Sequence, residues 1–228
     1  AGTGIADQIR EAMISDGLGQ QEAIDRIWLI DRKGLVTDDM ENLPDYQEPY
    51  AKPAGKTRRW AHSNGHIGLV ETVRQVHPTI LIGTSTDHDA FTQQVVEEMC
   101  KGVERPIILP LSNPTEKIEA VPADVISWSR GKALVSTGIP IEPFEYDGVR
   151  YEIGQGNNAL LYPGLGLGVI VSGAERVSAG MILAAAEAVA SQVDPRPAGA
   201  SLLPAVENLR ASSATVAVAV VQAAIEEG

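Results

Sequence analysis

A doubly wound α/β fold is what this sequence predicts: a mostly parallel sheet covered by helices on both faces, with further helices added toward the C-terminus. Three observations lead there. Short apolar runs alternate with helix-period segments, the runs are apolar almost throughout, and small or hydroxyl-bearing residues follow several of them. Such alternation builds parallel strands joined by crossover helices, and strands lacking an in–out pattern are covered on both sides.

The runs at residues 27–31, 79–84, 106–111 and 133–137 read as strands. Helices are expected at residues 5–15, 20–26, 67–76, 91–102 and 122–129; in the first, Ile5, Ile9, Ala12 and Met13 share one face. Within residues 144–153, Asp147-Gly148 separates two short runs, which is a hairpin signal. Residues 177–193 are alanine-rich, and residues 202–227 carry a long helix pattern starting near Pro204. Polar residues with Pro44, Pro49 and Pro53 mark residues 35–56 as a long surface connection. The chain opens on a glycine-rich turn with no strand in front of it. A strand normally aims such a turn at a phosphate, so that strand is expected upstream of Ala1.

Composition narrows the function. The chain has 228 residues, a length that suits one large domain or one domain with an appendage, and 18 Lys and Arg against 30 Asp and Glu give a net charge of −12. An acidic surface repels nucleic acid and anionic lipid, so neither is an expected partner, while backbone N–H groups can still bind phosphate locally. No unbroken apolar run reaches the roughly 18 residues of a membrane span. The stretch 159–171 is interrupted by Pro163, Gly164, Gly166 and Gly168, and no signal-peptide pattern opens the chain. Cys100 stands alone, which excludes a disulfide within the chain and fits a reducing cytoplasm; on its helix it is expected to be a buried, inert thiol.

Five segments carry candidate chemistry. Gly2 and Gly4 open the first helix, where glycine permits close approach of a pyrophosphate to free N–H donors. Asp31 ends the next strand; an acid there accepts hydrogen bonds from ribose hydroxyls and selects NAD, whereas the adjacent Arg32 and Lys33 would suit the 2′-phosphate of NADP. The third strand ends in Gly83-Thr84-Ser85-Thr86, at the edge where open α/β sheets bind ligands. Asp87-His88-Asp89 beside it reads as a solvated turn, since three adjacent residues converge poorly on one ion. The fourth strand delivers Ser112, Asn113, Pro114 and Thr115, with Pro114 keeping Asn113 out of helical dihedrals. The Asn113 carboxamide suits a carboxylate, hydroxyl or carboxamide partner, and Asn-Pro is also an ordinary turn. Asn157 and Asn158 precede a glycine-punctuated helical run, as a ligand site or as a helix cap.

Taken in order, the glycine-rich opening, residues 27–35, the Ser-Asn-Pro-Thr block at 112–115 and Gly-Gln-Gly-Asn-Asn at 154–158 resemble the NAD-binding, Rossmann-like domain of malic and malolactic enzymes. The resemblance runs over essentially all 228 residues. Tyr46-Gln-Glu-Pro-Tyr and Ala200-Ser-Leu-Leu-Pro are most similar to malolactic and bacterial malic enzymes. It implies an NAD-dependent oxidation and decarboxylation of L-malate with Mg²⁺ or Mn²⁺, in a cytoplasmic homo-oligomer, a dimer or tetramer. By the same resemblance Gly2 and Gly4 would lie at the pyrophosphate, Asp31 near the adenosine ribose, and Gly83 and Thr84 along the cofactor groove. Asn113 and Asn158 would face malate and nicotinamide, with Asn157 beside them. The family's general acid tyrosine, general base lysine and metal-binding carboxylates have no counterpart here, so a catalytic N-terminal domain is expected upstream and this chain alone is expected to be inactive. Asp87-His88-Asp89 is more charged than the small residues usual at that turn. A malolactic enzyme releasing L-lactate, and a nucleotide-binding module without catalysis, are the alternatives.

Overall fold

The apolar runs at 79–84, 106–111 and 133–137 become the strands of one parallel sheet, and a short run after the expected hairpin adds a fourth. The computed structural model describes every residue except 61, 63 and 64, and the chain divides into two compact units, residues 1–79 with 91–104, and residues 80–90 with 105–228.

The first unit is mainly helical. It contains α1 (Gly2–Ser15), α2 (Gln20–Asp25), the hairpin of β1 (Ile30–Asp31) and β2 (Gly34–Leu35), α3 (Ala54–Thr57), α4 (Leu69–Val76) and, from beyond residue 90, α5 (Gln93–Gly102). The α1 helix begins three residues earlier than the apolar periodicity indicates, because Gly2 and Gly4 are already helical. The segment 27–31 departs from expectation. It makes no parallel ladder; Ile30 and Asp31 pair antiparallel with Leu35 and Gly34 across a tight turn. Gly34 has φ of 79°, and a side chain there would collide with the Ile67 carbonyl, so the turn and this close approach both require glycine.

Residues 35–56 are also more than the surface connection expected from their polarity. Leu35, Val36, Tyr50 and Lys52 are buried, Thr37 and Lys52 form an isolated parallel bridge, and residues 48–50 make a 3₁₀ turn. The prolines break regular structure, as their missing N–H and fixed φ require, while Leu35 and Val36 ahead of them and Tyr50 among them are buried and Tyr46 stays exposed. Helix α5 is capped at its start by Thr92, whose Oγ1 accepts from the Val95 N–H at 3.4 Å, and it buries Val95, Val96 and Met99. Cys100 on that helix is half-buried.

The second unit holds the sheet: β3 (Ile80–Gly83), β4 (Ile107–Pro110), β5 (Leu134–Thr137) and β8 (Gly154–Gln155), hydrogen-bonded in the order β3-β4-β5-β8 and parallel throughout. Leu81, Ile108 and Val135 are buried on one face, with Val125 and Ile126 of α6 (Pro122–Trp128) among the core residues of this unit. Between β5 and β8 the chain makes the expected hairpin of β6 (Phe144–Tyr146) and β7 (Val149–Tyr151), turned by Asp147 and Gly148, both at positive φ.

Three apolar helices complete this unit: α7 (Tyr162–Ser172), α8 (Ala179–Ala190) and α9 (Leu209–Glu227). Leu160, Leu165, Met181, Ala185, Val189, Val216 and Val220 form their common core. Helix α7 carries Gly164, Gly166 and Gly168, a composition that costs about 1 kcal/mol per glycine against alanine. Packing explains it: a Cβ on Gly164 would lie 2.5 Å from Val216 Cβ, and one on Gly168 would lie 2.6 Å from Val220 Cβ. The two glycines, one turn apart, let α9 approach closely. Residues 206–227 are long and apolar enough to cross a bilayer by length and composition, although no unbroken apolar run signalled it. In this unit Ser212, Val216, Ala217 and Val220 of α9 are buried among protein side chains.

Candidate functional site

In the first unit, α1 presents an uncapped N-terminus. Its first intrahelical bond runs from the Ile5 N–H to the Ala1 carbonyl, no side chain caps the helix, and no acid occupies its first turn. The N–H groups of the opening turn therefore have no partner within the helix, and a Cβ on Gly4 would meet nothing within 4 Å. Open space, free donors and the positive end of the helix dipole are what an anion requires.

Asp31 is exposed at the end of β1, and its carboxylate is held from two sides. Gln47 Nε2 donates to Oδ2 at 2.8 Å and the Arg32 N–H to Oδ1 at 2.7 Å. The hydrogen bond from Gln47, then that from Arg32, keeps the carboxyl below the usual aspartate range. Gln47 is a residue the sequence did not single out for this task. Tyr50, from the same short segment, is fully buried; its hydroxyl donates to Asp7 Oδ1 at 2.6 Å and accepts from Arg10 Nη1 at 3.2 Å, both on α1. Burial and the neighbouring Asp7 push that hydroxyl's pKa up. One segment, residues 47–50, thus braces both the helix that opens on Gly2 and the carboxylate of Asp31. Lys52 follows. Its Nζ donates to the Ile24 and Asp25 carbonyls at 3.0 Å each, closing the C-terminal end of α2, and lies 4.8 Å from the Trp28 ring centre. Burial pulls its pKa down to about 8.

In the second unit the four strands are parallel, so their carboxyl ends emerge on one edge. That edge carries Gly83 at the end of β3 and Thr84 after it, Ser112 and Asn113 after β4, Gly138 after β5, and Gly156, Asn157 and Asn158 after β8. Asn113, in a cis peptide bond with Pro114, and Asn158 are exposed; Thr84 and Asn157 are half-buried. The Asn157 Oδ1 accepts from the Ala159 N–H at 2.9 Å and caps a 3₁₀ turn over Asn158–Leu160, which is the capping role the sequence allows. Gly138 has no room for a side chain because a Cβ would meet the Leu111 carbonyl. Gly156 donates its N–H to Thr137 O at 2.7 Å.

Beneath these tips sits Glu119, which no sequence motif points to. It is 0% exposed, and its carboxyl accepts from Ser85 N–H at 2.8 Å, Ser85 Oγ at 2.9 Å, Ser112 Oγ at 2.6 Å and Ser112 N–H at 3.2 Å. Its only sequence signal is an acid set between Ile118 and Ala120, both of them buried. Asp87, His88 and Asp89 are exposed, with His88 Nδ1 3.1 Å from the Ile118 carbonyl oxygen. Among the described residues no three or more His, Cys, Asp or Glu side chains stand together as a metal site, so the divalent cation that the resemblance implies finds no ligand set in them. A cavity of about 280 Å³ lies at the other end of β5, beside Ala133 and Leu134; its Arg105 already donates to the Pro195 and Arg196 carbonyls.

Residues 1–225 match the family model described as the malic enzyme NAD-binding domain. The chain is 52% identical over 230 residues to NAD-dependent malic enzyme 3 of Bacillus subtilis, covering all of this chain and 41% of the relative. To the malolactic enzyme of Lactococcus lactis it is 46% identical over 228 residues, covering all of this chain and 42% of that protein. The crystal structure of the malic enzyme from Pyrococcus horikoshii superposes with a TM-score of 0.64 at 26% identity, over 88% of this chain and 41% of that one. The chain therefore spans about two fifths of the length of these relatives.

Proposed function

This chain belongs to the malic enzyme family as its NAD-binding domain, and from that premise we propose that residues 1–228 hold NAD for the oxidative decarboxylation of L-malate to pyruvate, carbon dioxide and NADH. The observation that carries this reading is the single edge of the parallel sheet on which Gly83, Thr84, Asn113, Asn157 and Asn158 emerge.

In this proposal the uncapped first turn of α1, opened by Gly2 and Gly4, receives the pyrophosphate through its N–H groups. The braced carboxylate of Asp31 accepts hydrogen bonds from the adenosine ribose, and a 2′-phosphate would meet its negative charge, which favours NAD over NADP. Arg32 and Lys33 in the adjoining turn offset part of that preference. Gly83 and Thr84 are proposed to meet the nicotinamide half. The Asn113 and Asn158 carboxamides, each carrying a donor and an acceptor, orient malate against the nicotinamide, and Asn157 shapes the turn that presents Asn158. Bound NAD supplies the hydride acceptor for the malate C2–H. The general acid, general base and metal ligands are proposed to come from outside these 228 residues.

A malolactic outcome, in which the cofactor is re-oxidised in place and L-lactate leaves, is the second reading; the 46% identity to a malolactic enzyme favours it. Incubating the complete protein with L-malate, Mn²⁺ and NAD, while following NADH absorbance and assaying lactate, separates the two. NADH accumulating with pyruvate supports the first; lactate without net NADH rejects it in favour of the second.

A further inference from the structure

We propose that Glu119 is a positioning residue for the cofactor edge, tying the tips after β3 and β4 together so that Thr84 and Asn113 are presented in fixed relation. The inference rests on the reading that this edge takes NAD.

Hydrogen-bond direction makes the case. Ser112 Oγ accepts from the Thr86 N–H at 3.0 Å, and Ser85 Oγ accepts from the Asp87 N–H at 3.1 Å. Each hydroxyl then has its own proton left to give to Glu119 Oε1, which also takes the Ser85 N–H, while Oε2 takes the Ser112 N–H. One carboxyl group thereby fixes the backbone at residues 85, 86, 87 and 112. Thr84 and Asn113 are the immediate neighbours of the two serines it holds.

What this buried group supplies is four acceptor contacts to the two tips. Among the described residues no ion pair reaches Glu119, and a buried carboxyl without a cation is costly even when fully hydrogen-bonded. An apolar side chain would fill the same space without that cost but would supply none of the four acceptor contacts. The strand end is also shaped to admit the carboxyl. A Cβ on Gly83 would lie 2.5 Å from Glu119 Cδ and 2.7 Å from its Oε2, so β3 ends on the one residue that leaves room.

The test is Glu119→Gln in the complete protein, with NAD titrated by calorimetry and folding followed by circular dichroism and a thermal melt. Glutamine keeps the shape but sets an NH₂ against the Ser85 N–H or the Ser112 N–H, neither of which can accept. NAD binding should weaken by about tenfold, the scale of one or two lost hydrogen bonds, and Ser112→Ala added to Glu119→Gln should cost less than the sum of the two changes. A lowered melting temperature with NAD affinity unchanged would make Glu119 a structural residue and overturn the proposal. Should Glu119→Gln fail to fold, Ser85→Ala and Ser112→Ala each remove one relay. Weaker NAD binding in both supports the role, and unchanged affinity in both overturns it. Wild-type protein that binds no NAD overturns the reading of the edge and this inference together, whereas wild-type binding matched by Glu119→Gln overturns this inference alone.

Discussion

At the scale of single residues, the candidate site is built in pairs, a contact residue and a less visible residue that holds it. Asp31 is held by Gln47, and Ser85 and Ser112, beside Thr84 and Asn113, are held by Glu119. If the Asp31 carboxylate excludes a 2′-phosphate, Asp31→Ser in the complete enzyme should move the NAD-to-NADP ratio of kcat/KM toward NADP by about tenfold or more, the worth of one charged hydrogen bond. An unaltered ratio would restrict Asp31 to shaping its turn. Lys52 offers a test by pH. Its pKa stands at about 8 in the folded chain against 10.5 for an ordinary lysine. Between those values the unfolded chain binds more protons, so this group's contribution to stability rises with pH through the window and is least favourable, and constant, below it. The difference in unfolding free energy between wild type and Lys52→Met, measured by urea titration, should therefore climb from pH 8 to 10.5. A difference that stays flat across that window would mean Lys52 titrates normally.

At the scale of elements, glycine placement on α7 decides how closely α9 packs. Gly164 and Gly168 face Val216 and Val220, while a Cβ on Gly166 would meet nothing within 4 Å. Gly164→Ala should destabilise by about 1–3 kcal/mol through overpacking. Gly166→Ala should be neutral or stabilising by up to about 1 kcal/mol through helix propensity. Chemical denaturation of the pair checks this; equal effects of the same sign would show that the glycines serve no packing purpose. The strands tell a related story. Ile80–Gly83, Ile107–Pro110 and Leu134–Thr137 fall where the apolar runs place them, each within a residue or two, because four consecutive β-rich residues ending in small polar ones are a local signal. The run at 27–31 carries the same signal, yet forms only a two-residue ladder with Gly34 and Leu35. A strand is completed by its neighbour, and the neighbour that the ladder finds here is the returning chain.

At the scale of the whole molecule, the chain combines a helical unit that carries the α1 N-terminus and Asp31 with a second unit that carries the parallel sheet and its residue-rich edge. It spans about two fifths of the length of its relatives, and no metal-ligand cluster occurs among its described residues. If the general acid, general base and metal ligands come from outside these residues, as the resemblance implies, residues 1–228 by themselves should bind NAD without turning over malate. NAD at 100 times its dissociation constant should raise the unfolding free energy by about 2.7 kcal/mol, seen as a higher melting temperature, with no NADH formed from L-malate and Mn²⁺. Turnover by this chain would place an acid, a base and a metal site inside it. Failure of NAD to shift the melt would remove the dinucleotide from its proposed role.

What the sequence by itself determined is the alternation of strands and helices, the hairpin at Asp147-Gly148, and the strand ends that deliver Gly83 and Asn113 to the carboxyl edge. These follow from spacing along the chain, and spacing is local. Only the tertiary structure decided that Leu35, Val36, Thr37, Tyr50 and Lys52 are packed inward, that Gln47 and Tyr50 brace Asp31 and α1, and that Glu119 lies wholly buried under two loop tips. Each of those depends on partners 7 to 43 positions away along the chain. An isolated polar residue carries no period that would announce where its hydrogen-bond partners arrive, so burial of Glu119 between Ser85 and Ser112 exists only once β3 and β4 have been laid side by side.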